Sequence, residues 1–317
     1  MDQRQMSTRS RRIEITEMTV RHLIDSQFPK FSNLPIKPVL HNGWDNQTFR
    51  LGRNFLIRLP SAQHYASQVE KEQYWLPRLA NYLPLPIPEP IAIGEPSNEY
   101  PYPWSIYKWL PGNPALYTHQ IHKNNVAIDL ARFLSALQKI PVDPKTSPLP
   151  DMHNFYRGGD LKIYDEETRE SLDTLKNKID VCSALKIWDT AITTQWLHPP
   201  VWIHGDVSAG NLLLKRGRLS AVIDFGMLAV GDPACDLSVA WTFFQGESRH
   251  LFYSNLDLDR NTWLRGLAWA LWKASIIASG KSSTNAFAIN EAYSILNELL
   301  SDSIIKCSLI DKNRNKK

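Results

Sequence analysis

The sequence predicts an α+β protein of two lobes, with a small β-rich N-terminal lobe and a larger, mainly helical C-terminal lobe. Short apolar runs with turn signals between them dominate residues 38–59, and helical periodicity dominates most of the chain after residue 115. A chain of 317 residues with 43% hydrophobic composition is long enough to bury two cores. We place the lobes at residues 1–107 and 115–317, with a hinge at 108–114.

The predicted N-terminal lobe begins with a helix over residues 13–28. Strands follow over 38–41, 48–51 and 55–59, separated by the turn signals Asn42-Gly43 and Gly52-Arg53-Asn54. A helix over 63–79 comes next, and the proline-rich stretch 83–90 ends it. A further strand over 104–109 leads to Leu110-Pro111-Gly112-Asn113-Pro114, which breaks it.

The predicted C-terminal lobe contains a helix over 125–139 and an insert over 154–196. A buried strand over 201–203 follows, and then two short strands around the turn Lys215-Arg216-Gly217-Arg218. The region after residue 236 is rich in aromatic residues. Trp263, Leu267, Ala270 and Leu271 recur there at helical spacing, which is typical of a buried helical core.

Three polar residues between 201 and 226 have the spacing that phosphoryl transfer requires. Asp206 follows an apolar strand, Asn211 comes five residues later, and Asp224 arrives after a hairpin, in Ile223-Asp224-Phe225-Gly226. Transfer of a phosphoryl group needs charge neutralisation and an oriented acceptor hydroxyl, and carboxylate and amide oxygens suit Mg²⁺. Each aspartate alone is commonly a helix cap or turn former, but the three together indicate a kinase centre.

This segment resembles the aminoglycoside phosphotransferase family, whose members share the protein-kinase-like fold. The resemblance rests on His204-Gly205-Asp206 with Asn211, Asp224-Phe225-Gly226, Gly231-Asp232-Pro233 and Asp236-Leu237. It implies that Asp206 is the catalytic base or hydroxyl-orienting carboxylate, and that Asn211 and Asp224 bind Mg²⁺. It also implies that Asp236 is a buried anchor. We interpret His204 as a hydrogen-bonding brace rather than a reactant.

The resemblance further implies a cation on the third strand that contacts phosphate and pairs with a carboxylate on the next helix. Arg58 occupies the place where lysine is usual, with Glu72 as the better-matched partner and Glu70 as the competitor. The main chain around Lys108 and Leu110 would contact the nucleotide base. The loop 41–46 lies where a phosphate-covering loop would, but with one glycine it is equally typical of a hairpin turn.

These observations predict a transferase that moves the γ-phosphoryl group of ATP or GTP, with Mg²⁺, to a hydroxyl of a small molecule. The acceptor could be an aminoglycoside or another antibiotic, or an ordinary metabolite such as homoserine, choline or a sugar. A nucleotide-binding regulator with little activity is a further alternative. Gly205 in place of arginine, and the lack of an Ala-Pro-Glu segment, argue against a protein kinase.

Composition excludes several other classes of protein. A net charge of +4 without a long basic block argues against nucleic-acid binding, and no apolar run is long enough to cross a bilayer. Three scattered cysteines form neither a disulfide framework nor a zinc site, and we expect a cytoplasmic protein. The insert 154–196 carries many acidic residues that could attract a cationic acceptor, but interspersed lysine and arginine favour a solvated helical surface with local ion pairs.

Overall fold

The structure of the protein, a computed structural model, describes residues 13, 15–40, 45–282 and 285–301. These residues form two compact units. The first contains the described residues up to Gly112 together with Ala221–Met227, and the second contains Asn113–Ser220 and the described residues from Leu228 onward. The lobe boundaries predicted from the sequence, with the hinge at 108–114, stay predictions.

A five-stranded antiparallel sheet forms the centre of the first unit. Its strands are β1 (Ile36–Pro38), β2 (Asn46–Leu51), β3 (Phe55–Pro60), β4 (Pro90–Gly94) and β5 (Trp104–Lys108), in the order β1-β2-β3-β5-β4. The sequence prediction of a β-rich N-terminal region is therefore confirmed.

Two helices accompany this sheet. Helix α1 (Glu17–Gln27) begins at Thr16, whose hydroxyl accepts a hydrogen bond from the Thr19 amide at 3.2 Å, and its Leu23 and Ile24 join the core beside Ile57. The predicted helix over 13–28 was thus too long at its start, because the cap at Thr16 sets the first turn. Helix α2 (Gln63–Leu79) has the predicted bounds.

Two strand predictions need correction. The first strand is Ile36–Pro38 and not 38–41, with Pro38 in an edge strand, where its missing N–H breaks no central ladder; His41–Trp44 lie outside the described residues. Strand β4 was missed because its first residue, Pro90, belongs to the proline-rich stretch 83–90. A proline is tolerated as the first residue of an edge strand, and β4 lies at the edge of the sheet.

The second unit is mainly helical. Its described helices of nine or more residues are α3 (Lys123–Gln138), α4 (Asp165–Thr174), α5 (Val181–Ile192), α7 (Gly246–Ser254), α8 (Arg260–Ala278) and α9 (Ala286–Ser301), and a single-turn helix α6 (Val239–Thr242) precedes α7. Helix α3 confirms the helix predicted over 125–139 and begins two residues earlier. Trp263, Leu267, Ala270 and Leu271 of α8 are buried, as their spacing predicted.

Short strands carry the residues singled out in the sequence. Strand β7 (Val201–Ile203) pairs with β10 (Ala229–Gly231), and β8 (Leu212–Lys215) lies between β6 (Asn113–Pro114) and β9 (Arg218–Val222). The predicted hairpin is therefore present, whereas the β7–β10 pair was not predicted. Ala221 and Val222, at the end of β9, belong to the first unit, as does Asp224 two residues later.

The acidic insert forms local ion pairs, as its charge pattern predicted. Arg169 of α4 pairs with Asp165 one turn before it and with Asp189 of α5, at 2.8 and 2.6 Å. Lys176 pairs with Asp173, and Lys281 pairs with Glu170. In the part of the chain that the structure describes, no helix has the length and apolar character needed to cross a membrane.

Gly231 lies against the backbone of another segment of the second unit. A Cβ atom built on Gly231 would stand 2.4 Å from the carbonyl oxygen of Gly158, closer than such atoms can approach. Gly158 itself has φ +81°, and its carbonyl accepts a hydrogen bond from the Asp232 amide at 2.8 Å. Both sides of this contact are backbone, so neither can move aside as a flexible side chain would.

We expect Gly231→Ala to lower the free energy of unfolding by about 1–3 kcal/mol, the usual cost of overpacking. The measurement is chemical denaturation followed by tryptophan fluorescence. Gly210→Ala is the matched control, because its nearest atom is the Ser208 hydroxyl oxygen at 3.8 Å and it should be nearly neutral. Equal stability of the two variants would contradict this account of the Gly158–Gly231 contact.

Candidate active site

The loop from His204 to Asn211 is held by a buried carboxylate. Asp236 is 1% exposed, and its two oxygens accept hydrogen bonds from the His204 and Gly205 amides at 2.8 and 2.7 Å. Gly205 has φ +83°, a left-handed conformation that glycine adopts at little cost. Asp236 is therefore the buried anchor that the resemblance implied, and it fixes the backbone immediately before Asp206.

His204 acts as a brace in this loop. The side chain is fully buried, and its Nδ1 accepts a hydrogen bond from the Asp206 amide at 3.2 Å. The burial of its imidazole and this bond to the backbone agree with the structural role predicted from the sequence.

Asp206 is held by one neutral and one charged donor. The amide nitrogen of Asn211 donates to the Asp206 carboxylate at 3.0 Å and to its carbonyl oxygen at 2.9 Å, and Lys273 Nζ donates to the other carboxylate oxygen at 3.2 Å. The structure thus brings Asp206 and Asn211 together, as the D-x-x-x-x-N spacing predicted. Because Asn211 uses its nitrogen here, its amide oxygen is left as the atom that could bind a cation.

The charges around Asp206 keep its carboxylate ionised. Burial by itself opposes ionisation, but the cations Lys273 and Arg157, with His204, lower the pKa of Asp206 below its ordinary value. A carboxylate with a low pKa is a weak base but a good hydrogen-bond acceptor. This suits the orientation of a hydroxyl whose proton leaves late in a loose transition state.

Lys273 and Arg157 are site residues that the sequence reasoning missed. Lys273 is one of two cations in the apolar run 263–278, and a cation in an apolar helix was the available signal. Arg157 lies in the insert, and no motif marks it. Both line a small pocket with Asp206, Ser238 and Trp269.

The first unit has its own buried ionic group, which we call the Arg58 cluster: Arg58, Glu72, Tyr107 and Asp224. Arg58 Nη1 donates to both oxygens of Glu72 at 3.1 Å, and Nη2 donates to Asp224 Oδ1 at 2.7 Å. The Tyr107 hydroxyl donates to Glu72. Glu72 is thus the partner of Arg58, as predicted, while Glu70 is exposed.

Strand periodicity explains why Arg58 reaches this cluster. Ile57 and Leu59 are fully buried in the sheet core, so Arg58 between them points to the other face of β3. Although burial alone lowers the pKa of Arg58, the charges of Glu72 and Asp224 raise it well above the ordinary value. Burial, and then Glu72, also raise the pKa of Tyr107.

Asp224 has an unusual backbone conformation. Its φ is +69°, a left-handed value that few non-glycine residues adopt and that is found preferentially at functional sites. Its Oδ1 accepts from Arg58, and its side chain is 31% exposed. A partly exposed carboxylate held in a strained turn fits the oxygen chemistry of a Mg²⁺ ligand.

Lys71 holds the residues after Asp224 to helix α2. Its Nζ donates to the Gly226 carbonyl at 2.6 Å. Burial lowers the pKa of Lys71 to about 8, against an opposing contribution from Glu72. No sequence signal marks this contact, because it joins residues 155 positions apart.

The predicted base-contact residues Lys108 and Leu110 lie at the end of β5 and just after it. The Lys108 side chain is exposed and pairs with Glu89 at 3.0 Å, so the Arg58 cluster does not include it. The Lys108 amide donates to Glu89 and the Trp109 amide to Asn54. A contact between a nucleotide base and this segment stays a prediction.

The family model described as the phosphotransferase enzyme family matches residues 37–269, which is more than half of the chain. The chain belongs to the phosphotransferase enzyme family. The match includes both the Arg58 cluster and the Asp206 loop, while the C-terminal helix α9 lies beyond it. No curated protein matches this phosphotransferase.

Solved structures of similar fold cover most of the phosphotransferase. The GDP and kanamycin complex of APH(2")-IIia is 19% identical, with 89% of this chain and 98% of that chain covered and a TM-score of 0.68. The streptomycin–ATP–APH(2")-IIa ternary complex is 18% identical, with coverages of 91% and 99% and a TM-score of 0.59. The apoenzyme of the macrolide 2'-phosphotransferase MphH from Brachybacterium faecium is 19% identical, with coverages of 87% and 98% and a TM-score of 0.57. These similarities confirm the protein-kinase-like fold predicted from the sequence.

We expect the free energy of unfolding to depend on pH between 8 and 10.5 because Lys71 is buried. Lysine in the unfolded chain titrates near 10.5, whereas Lys71 in the folded chain titrates near 8. Between these values the unfolded state binds more protons, so the free energy of unfolding rises with pH. Lys71→Met removes this contribution. The difference, wild type minus variant, should therefore increase from pH 8 to 10.5 in denaturant titrations.

Exposed Lys37 in β1 provides the control for this measurement, since Lys37→Met removes a lysine at the surface in place of the buried one. A flat profile for Lys71→Met would show that Lys71 titrates as an ordinary exposed lysine.

Proposed function

We propose that this phosphotransferase moves the γ-phosphoryl group of ATP or GTP to a hydroxyl group of a small molecule. The observation that carries the proposal is the Asp206 carboxylate, kept ionised by Lys273 and held by Asn211 on the wall of a pocket. In this proposal Asp206 accepts a hydrogen bond from the acceptor hydroxyl, orients its oxygen toward the phosphorus, and receives its proton.

The residues present fit the magnesium chemistry of such a reaction. Among the described residues, no group of three or more His, Cys, Asp and Glu side chains could hold a metal ion. Mg²⁺ in nucleotide sites typically takes only one or two protein ligands and completes its shell with phosphate and water. We propose Asp224 and the Asn211 amide oxygen as those protein ligands. Bound Mg²⁺ would neutralise charge on the nucleotide phosphates.

In our proposal the Arg58 cluster serves the phosphates of the nucleotide. A guanidinium has five N–H donors. Arg58 makes three hydrogen bonds, two to Glu72 and one to Asp224. Glu72 and Tyr107 hold the guanidinium against β3, so its orientation is fixed before a nucleotide binds. The main chain of Lys108 and Leu110 is our candidate for contacting the adenine or guanine base.

The acceptor could be an antibiotic or an ordinary metabolite. Solved structures of similar fold contain kanamycin or streptomycin, and others are named as macrolide phosphotransferases. The aminoglycoside phosphotransferase structures of similar fold contain GDP, ATP or ADP. The experiment is a mass-spectrometric search for phosphorylated products. It uses purified protein, Mg²⁺, ATP and GTP with aminoglycosides, macrolides and hydroxyl metabolites. Nucleotide binding without any product would favour a regulator.

We expect Asp206→Asn to reduce kcat by a factor of about 10²–10⁴, the usual contribution of general acid–base catalysis. Nucleotide affinity should be nearly unchanged, because in our proposal the carboxylate contacts the acceptor and not the nucleotide. Steady-state kinetics with the acceptor identified in the mass-spectrometric search measures kcat. Calorimetry measures the nucleotide affinity. Wild-type turnover in this variant would remove Asp206 from the reaction.

Asp224→Asn should instead weaken nucleotide binding in the presence of Mg²⁺, because it removes charge from a metal ligand. Calorimetry with Mg²⁺ and with EDTA separates this effect from a general loss of affinity, since the EDTA values of variant and wild type should agree. Asp206→Asn is the matched control with the same change of charge. An unaltered Mg²⁺ dependence would place the metal ligands elsewhere.

A further inference from the structure

The pocket beside Asp206 contains more positive than negative charge. Two of the residues that line it are cations, Arg157 and Lys273, and one is an anion, Asp206. Lys273 is paired with Asp206, so one positive charge remains on Arg157. A site built for a polycationic acceptor would carry the opposite balance.

Arg157 forms no ion pair within 4.0 Å of a carboxylate in the described part of the chain, and aromatic rings hold it instead. Its guanidinium carbon lies 4.9 Å from the centre of the Trp269 ring and 4.7 Å from that of Trp272. Stacking of this kind orients the guanidinium plane and leaves its N–H groups available.

The turn before Arg157 is strained and firmly held. Phe155 and Tyr156 have φ values of +51° and +53°, which are unfavourable for aromatic residues. Buried Asn154 donates to the Arg157 carbonyl at 3.0 Å, and the Tyr164 hydroxyl donates to the Phe155 carbonyl. Strained conformations persist where the surroundings enforce them, and they cluster at functional sites.

Nearby carboxylates are engaged with other partners. Asp232 forms a buried pair with Arg265 at 2.6 Å, Asp236 accepts the two loop amides, and Glu167 accepts from the Trp272 indole at 2.9 Å. These carboxylates therefore do not pair with Arg157, which leaves its guanidinium N–H groups as donors in the pocket wall.

We propose that the acceptor carries an anionic group, a carboxylate or a phosphate, near the hydroxyl that is phosphorylated, and that Arg157 binds this group. This inference rests on the proposed function and specifies its substrate class. The planar guanidinium matches two oxygens of either anion. Arg157 would repel the ammonium groups of an aminoglycoside, so polycationic acceptors are disfavoured.

The first test uses the wild-type protein and needs no knowledge of the acceptor. Small molecules from a cell extract are separated by charge into anion-exchange-retained, unretained and cation-exchange-retained fractions. Each fraction, and also kanamycin and streptomycin, is incubated with ATP, GTP and Mg²⁺. Mass spectrometry then identifies compounds that gain phosphate with wild type but not with Asp206→Asn.

We expect the phosphorylated acceptor in the anion-retained fraction, and its structure distinguishes a carboxylate from a phosphate. An acceptor from the unretained or cation-retained fraction, or rapid phosphorylation of kanamycin, would overturn the anionic acceptor while the proposed transfer stands. No product in any fraction would count against the proposed function itself, and with it against this inference.

The second test assigns the anionic group to Arg157. Arg157→Gln should raise the acceptor KM at least tenfold and leave the nucleotide KM unchanged, and Arg157→Lys should recover part of the loss. Arg132→Gln is the control, because Arg132 is exposed on α3 and has no hydrogen bond or ion pair among the described residues. A raised nucleotide KM with an unchanged acceptor KM would assign Arg157 to the nucleotide and overturn the proposal.

Discussion

The second unit depends on the two hydrogen bonds between the Asp236 carboxylate and the backbone of the 204–211 loop. A carboxylate that is 1% exposed loses its hydration, and only donors of the protein can compensate for this loss. Burial raises the pKa of Asp236, while His204 and the two amides oppose this increase. Because both oxygens are bound to consecutive amides, the loop cannot shift without leaving a buried group unsatisfied. These bonds therefore also hold the backbone of Asp206, the next residue, in place.

Two separate charge arrangements follow along the chain. In the first unit, one guanidinium joins Glu72 and Asp224, and the tyrosine hydroxyl completes the hydrogen bonding of Glu72. In the second unit, Lys273 balances Asp206, and Arg265 balances Asp232. Each of these four carboxylates thus has a cationic partner in its own unit. Removal of one partner from a buried pair such as Arg265–Asp232 would leave an isolated charge in a medium of low polarity.

The distribution of charge also bears on the choice of acceptor. The acidic side chains that first suggest a site for a polyamine lie on α4 and α5, where lysine and arginine pair with several of them. The cations that line the pocket come instead from a strained turn and from α8. The charge pattern of the insert is that of a solvated surface. The net charge of the pocket beside Asp206 instead depends on Arg157 and Lys273, which are 116 positions apart in the chain.

The sequence by itself determined the order of most elements and singled out the residues that we propose for phosphoryl transfer. Asp206, Asn211 and Asp224 were recognisable because a short loop and a hairpin fix their spacing, and α2 had its predicted bounds because helical periodicity and flanking prolines are local signals. Tertiary structure decided the edge strand β4, the β7–β10 pair, the contact of Lys71 with Gly226, and the cations beside Asp206. These contacts join residues far apart in the chain. Secondary-structure propensity and residue spacing are local signals, so they do not predict which distant side chains meet when α8 and the strained turn pack.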